Sequence, residues 1–372
     1  MASFSFGPPL PPWLDSLPGV HYAPSYLADG RHDLAALGSD TGVAIAYADA
    51  HVAGACAPNG GLLYDHFLTG HSDAAQKCDE LLAAVKSLYE HGSQRLSTTI
   101  ADYAKTENEN VTQVASIWRV LDSGGSTTPL GPEPAGTPTR GPLPSDGLAA
   151  PHSDVGHWIF DVLSWPDYLS IGSWVRKIFG WIWGAVAGGD PWQELWKWLG
   201  GDWEGAGLAS SAWGELGQYF EASGAELTKR MEIMFSGWYD SAAAAACGGY
   251  FSAAAQAVDA ASGPMADMGN LYHNIAWSSF MLCQSVFSLV DAAVDAIAVF
   301  LMGGMTVLEA LAAFFSGGVT LIPGAVTAVL TIVEALSSAW GWMMTAVYGI
   351  TGLGAMLGAA TASVTWVEIP EG

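Results

Sequence analysis

From Cys78 to Leu121, apolar side chains recur every three or four positions, and that stripe constrains the fold more than any other feature of the chain. It runs through Cys78, Leu81, Val85, Leu88, Gly92, Leu96, Ile100 and Tyr103, then Val111, Val114, Trp118 and Leu121. Such spacing keeps one face of an α-helix apolar along its whole length. A lone helix would leave that face in water, so other helices must cover it. Ser72 stands near the head of the segment as the expected N-cap. Upstream, Arg31 to about Cys56 is rich in Ala and carries Leu34, Leu37, Val43, Ile45 and Val52. It reads as a first helix, weakened by Gly38, Gly42 and Gly54. Pro58-Asn59-Gly60-Gly61 breaks the pattern, so an antiparallel hairpin is expected to turn at Gly60 and Gly61.

The same reading divides the rest of the chain. Residues 1–30 carry prolines and aromatics and are expected to be extended, and the hairpin occupies 31–121. Residues 122–156 are dominated by Pro, Gly, Ser and Thr, the composition of a flexible linker without a core. Residues 157–203 hold nine of the 17 tryptophans, with Trp174, Ile178 and Trp181 at helical spacing. Such a cluster suits a membrane interface or a protein groove, and more commonly a core-facing stripe. In 204–280 an amphipathic helix carries Leu208, Trp213, Leu216, Phe220, Leu227 and Met231. It is interrupted at Ser236-Gly237-Trp238-Tyr239-Asp240-Ser241, and a second helix starts at the alanines 242–246 and breaks near Gly263-Pro264. Residues 281–372 are apolar: no charge occurs for 24 residues after Glu309, nor for 33 after Glu334. Each stretch exceeds the roughly 20 residues that span a bilayer, although glycines and Pro323 interrupt them. The fold class expected is therefore all-α, two helical hairpins forming a bundle, followed by apolar C-terminal helices.

Charge narrows the partners. The chain has 12 basic and 36 acidic residues, a formal charge of −24, which repels phosphate backbones and excludes nucleic acid as a partner. Anionic lipid surfaces are disfavoured for the same reason. The last basic residue is Arg230, so the apolar C-terminal part offers none of the flanking cations that orient inserted helices. The N-terminus has its first basic residue at Arg31 and four prolines in its first 12 residues, which does not fit a secretory signal peptide. Four cysteines, Cys56, Cys78, Cys247 and Cys283, form no C-x-x-C pair, so a thiolate metal site is not expected. Cys56 and Cys78 flank the first turn. Their placement allows a disulfide between antiparallel helices in an oxidising compartment and equally allows two small buried residues, the commoner use.

Tyr103 and Glu107 lie four apart near the end of the long stripe, so a helix projects phenol and carboxylate from one face. Chance supplies about one such pair in a chain with 12 Tyr and 36 acids, and one is present, so context must carry the inference. That context is a second hairpin. The segment Gly201-Asp202-Trp203-Glu204, with Trp213, Leu216-Gly217, Ser236-Gly237-Trp238-Tyr239-Asp240-Ser241-Ala242-Ala243, Tyr250-Phe251 and Trp277, resembles the WxG helical-hairpin family of type VII (ESX) secretion targets of actinobacteria. Trp238 and the alanines match the family's turn, while Asp240 stands where its glycine belongs. The N-terminal hairpin resembles the EspC-like branch, whose second helix ends in Tyr-x-x-x-Asp/Glu, and Tyr103 and Glu107 match those positions. Its turn departs from the family, Pro58-Asn59-Gly60-Gly61 replacing Trp-x-Gly. The resemblance covers somewhat under half the chain. It implies paired hairpins in a four-helix bundle, formed with a WxG-type partner or within one chain. It also implies export read by a type VII secretion ATPase and residence outside the cell or in the envelope.

No catalytic constellation competes with this. Gly-x-Ser-x-Gly and the phosphate-loop motif are absent. His66 and His71 are five apart and would not share a helix face, so no metal pair is expected, and His273 reads as a hydrogen-bonded packing residue. Neither catalytic residues nor cofactors are expected. The rival expectation is a membrane-embedded or membrane-permeabilising helical protein, drawn from the tryptophans and the uncharged stretches.

Overall fold

The structure is a computed structural model, and it describes residues 21–22, 24–56, 62–121, 141–155, 201–239 and 241–302, with a few isolated positions beyond. The fold is all-α. Strand β1 (His21–Tyr22) precedes α1 (Pro24–Ala48), a single π-helical turn (Asp49–Ala53), and α2 (Leu62–Leu121). After a short 3-10 turn (Pro144–Gly147) come α3 (Trp203–Ser236), β2 (Trp238–Tyr239), α4 (Ala242–Ala260) and α5 (Ser262–Met302). α1 packs along α2, α3 packs along both α4 and α5, and α1 packs along α3, so the two hairpins meet chiefly through their first arms. β1 pairs antiparallel with β2, His21 opposite Tyr239 and Tyr22 opposite Trp238, which ties the start of the first hairpin to the turn of the second.

The long stripe does what its spacing demands. Cys78, Leu81, Val85, Leu88 and Leu96 are all buried, and Ile100 and Tyr103 pack half-buried against the same core. Gly92 belongs to it because Leu34 and Phe251 crowd the place where a side chain would stand. The side chains of Val111, Val114, Trp118 and Leu121 lie outside the described residues.

Two boundaries and the placement of one side chain differ from expectation. α2 starts at Leu62, ten residues before Ser72, which is exposed in mid-helix. Tyr64 and Phe67 bury themselves against Trp203, with ring centroids at 5.0 and 6.2 Å, and this tertiary packing outweighs the local cap signal. α1 starts at Pro24 rather than near Arg31; proline is preorganised for the first helical position, and Leu27 is fully buried. His273 is exposed, because the face of α5 that packs inward carries Met265, Met268, Tyr272, Ile275 and Ala276.

Part of the expected linker is a strap. Residues 141–155 run along the bundle beside α1 and α3, antiparallel to α3. The Ser145 backbone N–H donates to the buried Asp40 carboxylate at 3.2 Å, and its hydroxyl donates to the same group. Burial raises the Asp40 pKa even so, against the lowering effect of Ser145. Tyr47 Oη donates to the Ala149 carbonyl at 2.9 Å, and the Ala149 N–H donates to Glu215 at 3.2 Å. Further along, the His152 N–H donates to Ser211 Oγ at 3.3 Å, and Ser153 fills the space above Gly207. A stretch with no apolar pattern is thus held by polar groups of both hairpins.

A row of buried polar contacts fixes the register between hairpins. Arg230 Nη1 donates to Asp33 at 3.0 Å and its Nε donates to Glu226 at 2.8 Å. Tyr89 and Ser223 share a hydrogen bond of 2.7 Å. Tyr219 Oη donates to Thr41 Oγ1 at 3.0 Å, and Thr41 in turn donates to the Leu37 carbonyl at 2.8 Å. A sliding of either hairpin by one residue would leave these groups buried and unpaired, each at a cost of about 1–3 kcal/mol.

Candidate functional site

The candidate site lies where the two hairpins and the β1–β2 pair converge. α3 ends at Ser236, and the Gly237 N–H closes its last turn by donating to the Met234 carbonyl at 3.2 Å. Gly237 has no room for a side chain, since the ring of Tyr26 from α1 fills that place. The chain then turns through Trp238, which is only 2% exposed. Phe235, three residues earlier, stacks on the indole with centroids 5.8 Å apart and planes at 22°. On another side Tyr103 of α2 meets it edge-on, at 6.2 Å and 84°. Edge-to-face placement of this kind aims the positive ring edge at a π face and contributes about 0.5–1.5 kcal/mol beyond the area buried. α4 restarts from Ser241, whose hydroxyl accepts the Ala244 N–H at 3.0 Å. The exposed Tyr239 lies at the rim of the same turn.

The chain therefore brings together Tyr103 and Trp238, 135 positions apart. Glu107 follows one turn further along α2, and its side chain lies outside the described residues. Asp240, Gly60 and Gly61 also lie outside them. The N-cap of α4 is Ser241, which supplies the capping oxygen that the turn requires. Sequence reasoning did not find Tyr26, Phe235 or the β1 strand. The signals were faint: a tyrosine one helical turn before Asp29-Gly30, and a Phe at a three-residue offset from Trp238.

No protein-family model matches the chain, and neither a curated protein nor a solved structure does. The geometry is thus the basis for reading the site.

What this arrangement offers is a composite edge. A half-buried phenol from one hairpin is held by an aromatic cluster of the other, so the pairing of the hairpins fixes how its ring is oriented. Among the described residues no group of His, Cys, Asp and Glu could hold a metal ion. Cys56 and Cys78 are both buried free thiols at the opposite end of the bundle. Burial pushes the Cys56 thiol up to about 12 and raises that of Cys78 as well, so both stay protonated and unreactive near neutral pH.

Proposed function

We propose that this protein is a non-enzymatic substrate of a type VII secretion system, exported as a folded helical bundle through the Tyr103/Glu107 signal. The observation that supports this reading most is the contact between Tyr103 and Trp238. It joins Tyr103, on the second helix of the EspC-like hairpin and 18 residues before that helix ends, to the turn of a WxG-like hairpin, two features that the sequence carries separately. A receptor that reads the phenol at this edge reads the folded, paired state at the same time. The secretion ATPase is the proposed reader, and the second hairpin takes within this chain the place of a separate WxG-type partner. The test compares culture filtrates of cells with and without the secretion ATPase. Export is expected only with the ATPase, and equal amounts in both filtrates would refute the assignment.

A second reading, contact with a membrane, has one observation in its favour. Trp277 and Met281 on α5 are 42% and 43% exposed, and Trp277 stacks on Phe280 at 5.5 Å. Among the described residues no helix is long and apolar enough to cross a membrane. The uncharged stretches after Glu309 and Glu334 lie almost wholly outside those residues. Fractionation separates the readings: release into the filtrate without detergent supports export as a soluble bundle, and recovery only with detergent supports membrane contact.

A further inference from the structure

The end of the bundle opposite Tyr103 contains one histidine that the proposed function does not use. His71, in the third turn of α2, is 5% exposed and sits among Phe67, Tyr272 and the π-helical turn that follows α1. Phe67 stacks on its ring at 5.9 Å and 18°. Its Nδ1 lies 2.8 Å from Tyr272 Oη on α5, and the ring also hydrogen-bonds the Ala53 backbone at the end of the first arm. A carbonyl can only accept, so the ring N–H on that side donates to Ala53 and Nδ1 is left to accept the Tyr272 proton. Neutral imidazole satisfies both contacts with one donor and one acceptor. It thereby joins the end of the first arm, α2 and α5 at one point.

An imidazolium can keep both contacts only by donating twice, from one N–H to Ala53 and from Nδ1–H to the phenol oxygen. The Tyr272 proton then loses its acceptor on the ring and must turn toward buried side chains such as Phe67, and a charge is added to a nearly dry site. Of the titratable groups at this end of the bundle, Tyr272 touches the ring. Cys56, Tyr64 and Cys78 lie near Tyr272, with Asp202 beside Cys56 and Tyr64, and Asp49 and Asp79 beside Cys78. The phenols and thiols among them are held neutral by burial, and neither of the ring's two hydrogen bonds goes to a carboxylate. The contacts Arg230–Asp33, Tyr89–Ser223 and Tyr219–Thr41 between the hairpins contain no histidine.

We propose that the His71–Tyr272 pair is a pH-sensitive latch: neutral His71 holds α2 and the first arm against α5, and protonation releases that end of the bundle while the Tyr103–Trp238 end stays closed. Burial lowers the His71 pKa below its ordinary value of 6.5. The unfolded or opened state therefore takes up the proton more readily. The stability supplied by the latch is fully present above about 6.5 and falls as the pH drops from there through the folded value, by about tenfold in opening equilibrium per pH unit.

The test is hydrogen exchange of the full chain at pH 7.5, 6.5 and 5.5, corrected for intrinsic rates and read separately for residues 62–75, 268–279 and 96–106. Protection of the first two segments is expected to fall by up to about tenfold between pH 7.5 and 5.5, while the third holds. His71→Asn keeps an acceptor for Tyr272 without a titrating group and is expected to flatten the response. Equal pH dependence in wild type and variant would overturn the proposal. Should His71→Asn fail to fold, titration of the His71 ring resonances in the wild-type chain decides alone. A pKa below the free value, with opening that follows it, supports the latch; a pKa at or above 6.5 removes it.

Discussion

Replacing Arg230 with alanine is expected to destabilise the folded chain by about 3–5 kcal/mol, the usual cost of breaking a buried ion pair from one side. The Arg230 side chain is 3% exposed and is shared between Asp33 on α1, 6% exposed, and Glu226 one turn back on α3, 13% exposed. Removing the guanidinium takes away the cation that both carboxylates share in a nearly dry site, and Lys229, 3.7 Å from Glu226 but half exposed, compensates little. The loss is one-sided. Removing all the charges together, as Asp33→Leu with Arg230→Met and Glu226→Gln, is expected to restore most of the stability, because burying the ions cost free energy to begin with. Denaturant unfolding of the three proteins, wild type and the two variants, followed by tryptophan fluorescence, measures both effects. If Arg230→Ala costs less than about 1 kcal/mol, the pair does not govern the register of the hairpins.

Gly224→Val is the second large effect, expected at about 3 kcal/mol, at the upper end for overpacking. At Gly224 the backbones of α3 and α4 touch: a Cβ built there lies 2.8 Å from the Ala255 carbonyl oxygen and 2.9 Å from the Asp259 nitrogen. Both obstacles are main chain and cannot rotate aside, so the two helices must move apart and uncover Ala254, Ala255 and Val258, all buried. Gly214, ten residues earlier on the same helix, has nothing within 4 Å of that position. Gly214→Ala is therefore expected to raise stability by about 0.5–1 kcal/mol through helix propensity alone. Opposite signs at two glycines of one helix, read by thermal unfolding, separate close packing from propensity. A destabilising Gly214→Ala, or a neutral Gly224→Val, would show that the α3–α4 approach is wrongly placed.

What could be read in the sequence follows from the range of the interactions involved. The α2 stripe was legible because helical periodicity is local: Leu81, Val85 and Leu88 declare a buried face without reference to any partner. The interruption at Ser236-Gly237 was legible for the same reason, and α3 ends there. The start of α2 was not. Leu62 begins the helix because Tyr64 and Phe67 find Trp203 and Tyr272, which lie more than a hundred positions away. The strap was invisible for a related reason. Ser145, Ala149 and His152 are held by a few hydrogen bonds to Asp40, Tyr47, Glu215 and Ser211, and composition carries no trace of such pairings. At the candidate site, Tyr103 was legible through its spacing to Glu107 and Trp238 through its turn. That the two rings touch depends on the pairing of whole hairpins, which a linear reading supplies only through resemblance.

The central claim is that the paired hairpins present Tyr103 as an export signal, and the most direct test measures the ratio of exported to cell-retained protein for Tyr103→Ala in a host with a type VII system. The lost ring contact with Trp238 is worth about 0.5–1.5 kcal/mol beyond its area, small beside the 5–15 kcal/mol of a typical domain. The variant should therefore remain folded, which circular dichroism of the recovered protein checks, and Tyr103→Phe controls for the ring. The account predicts that Tyr103→Ala accumulates folded inside the cell. Export of the folded variant at the wild-type ratio would contradict it.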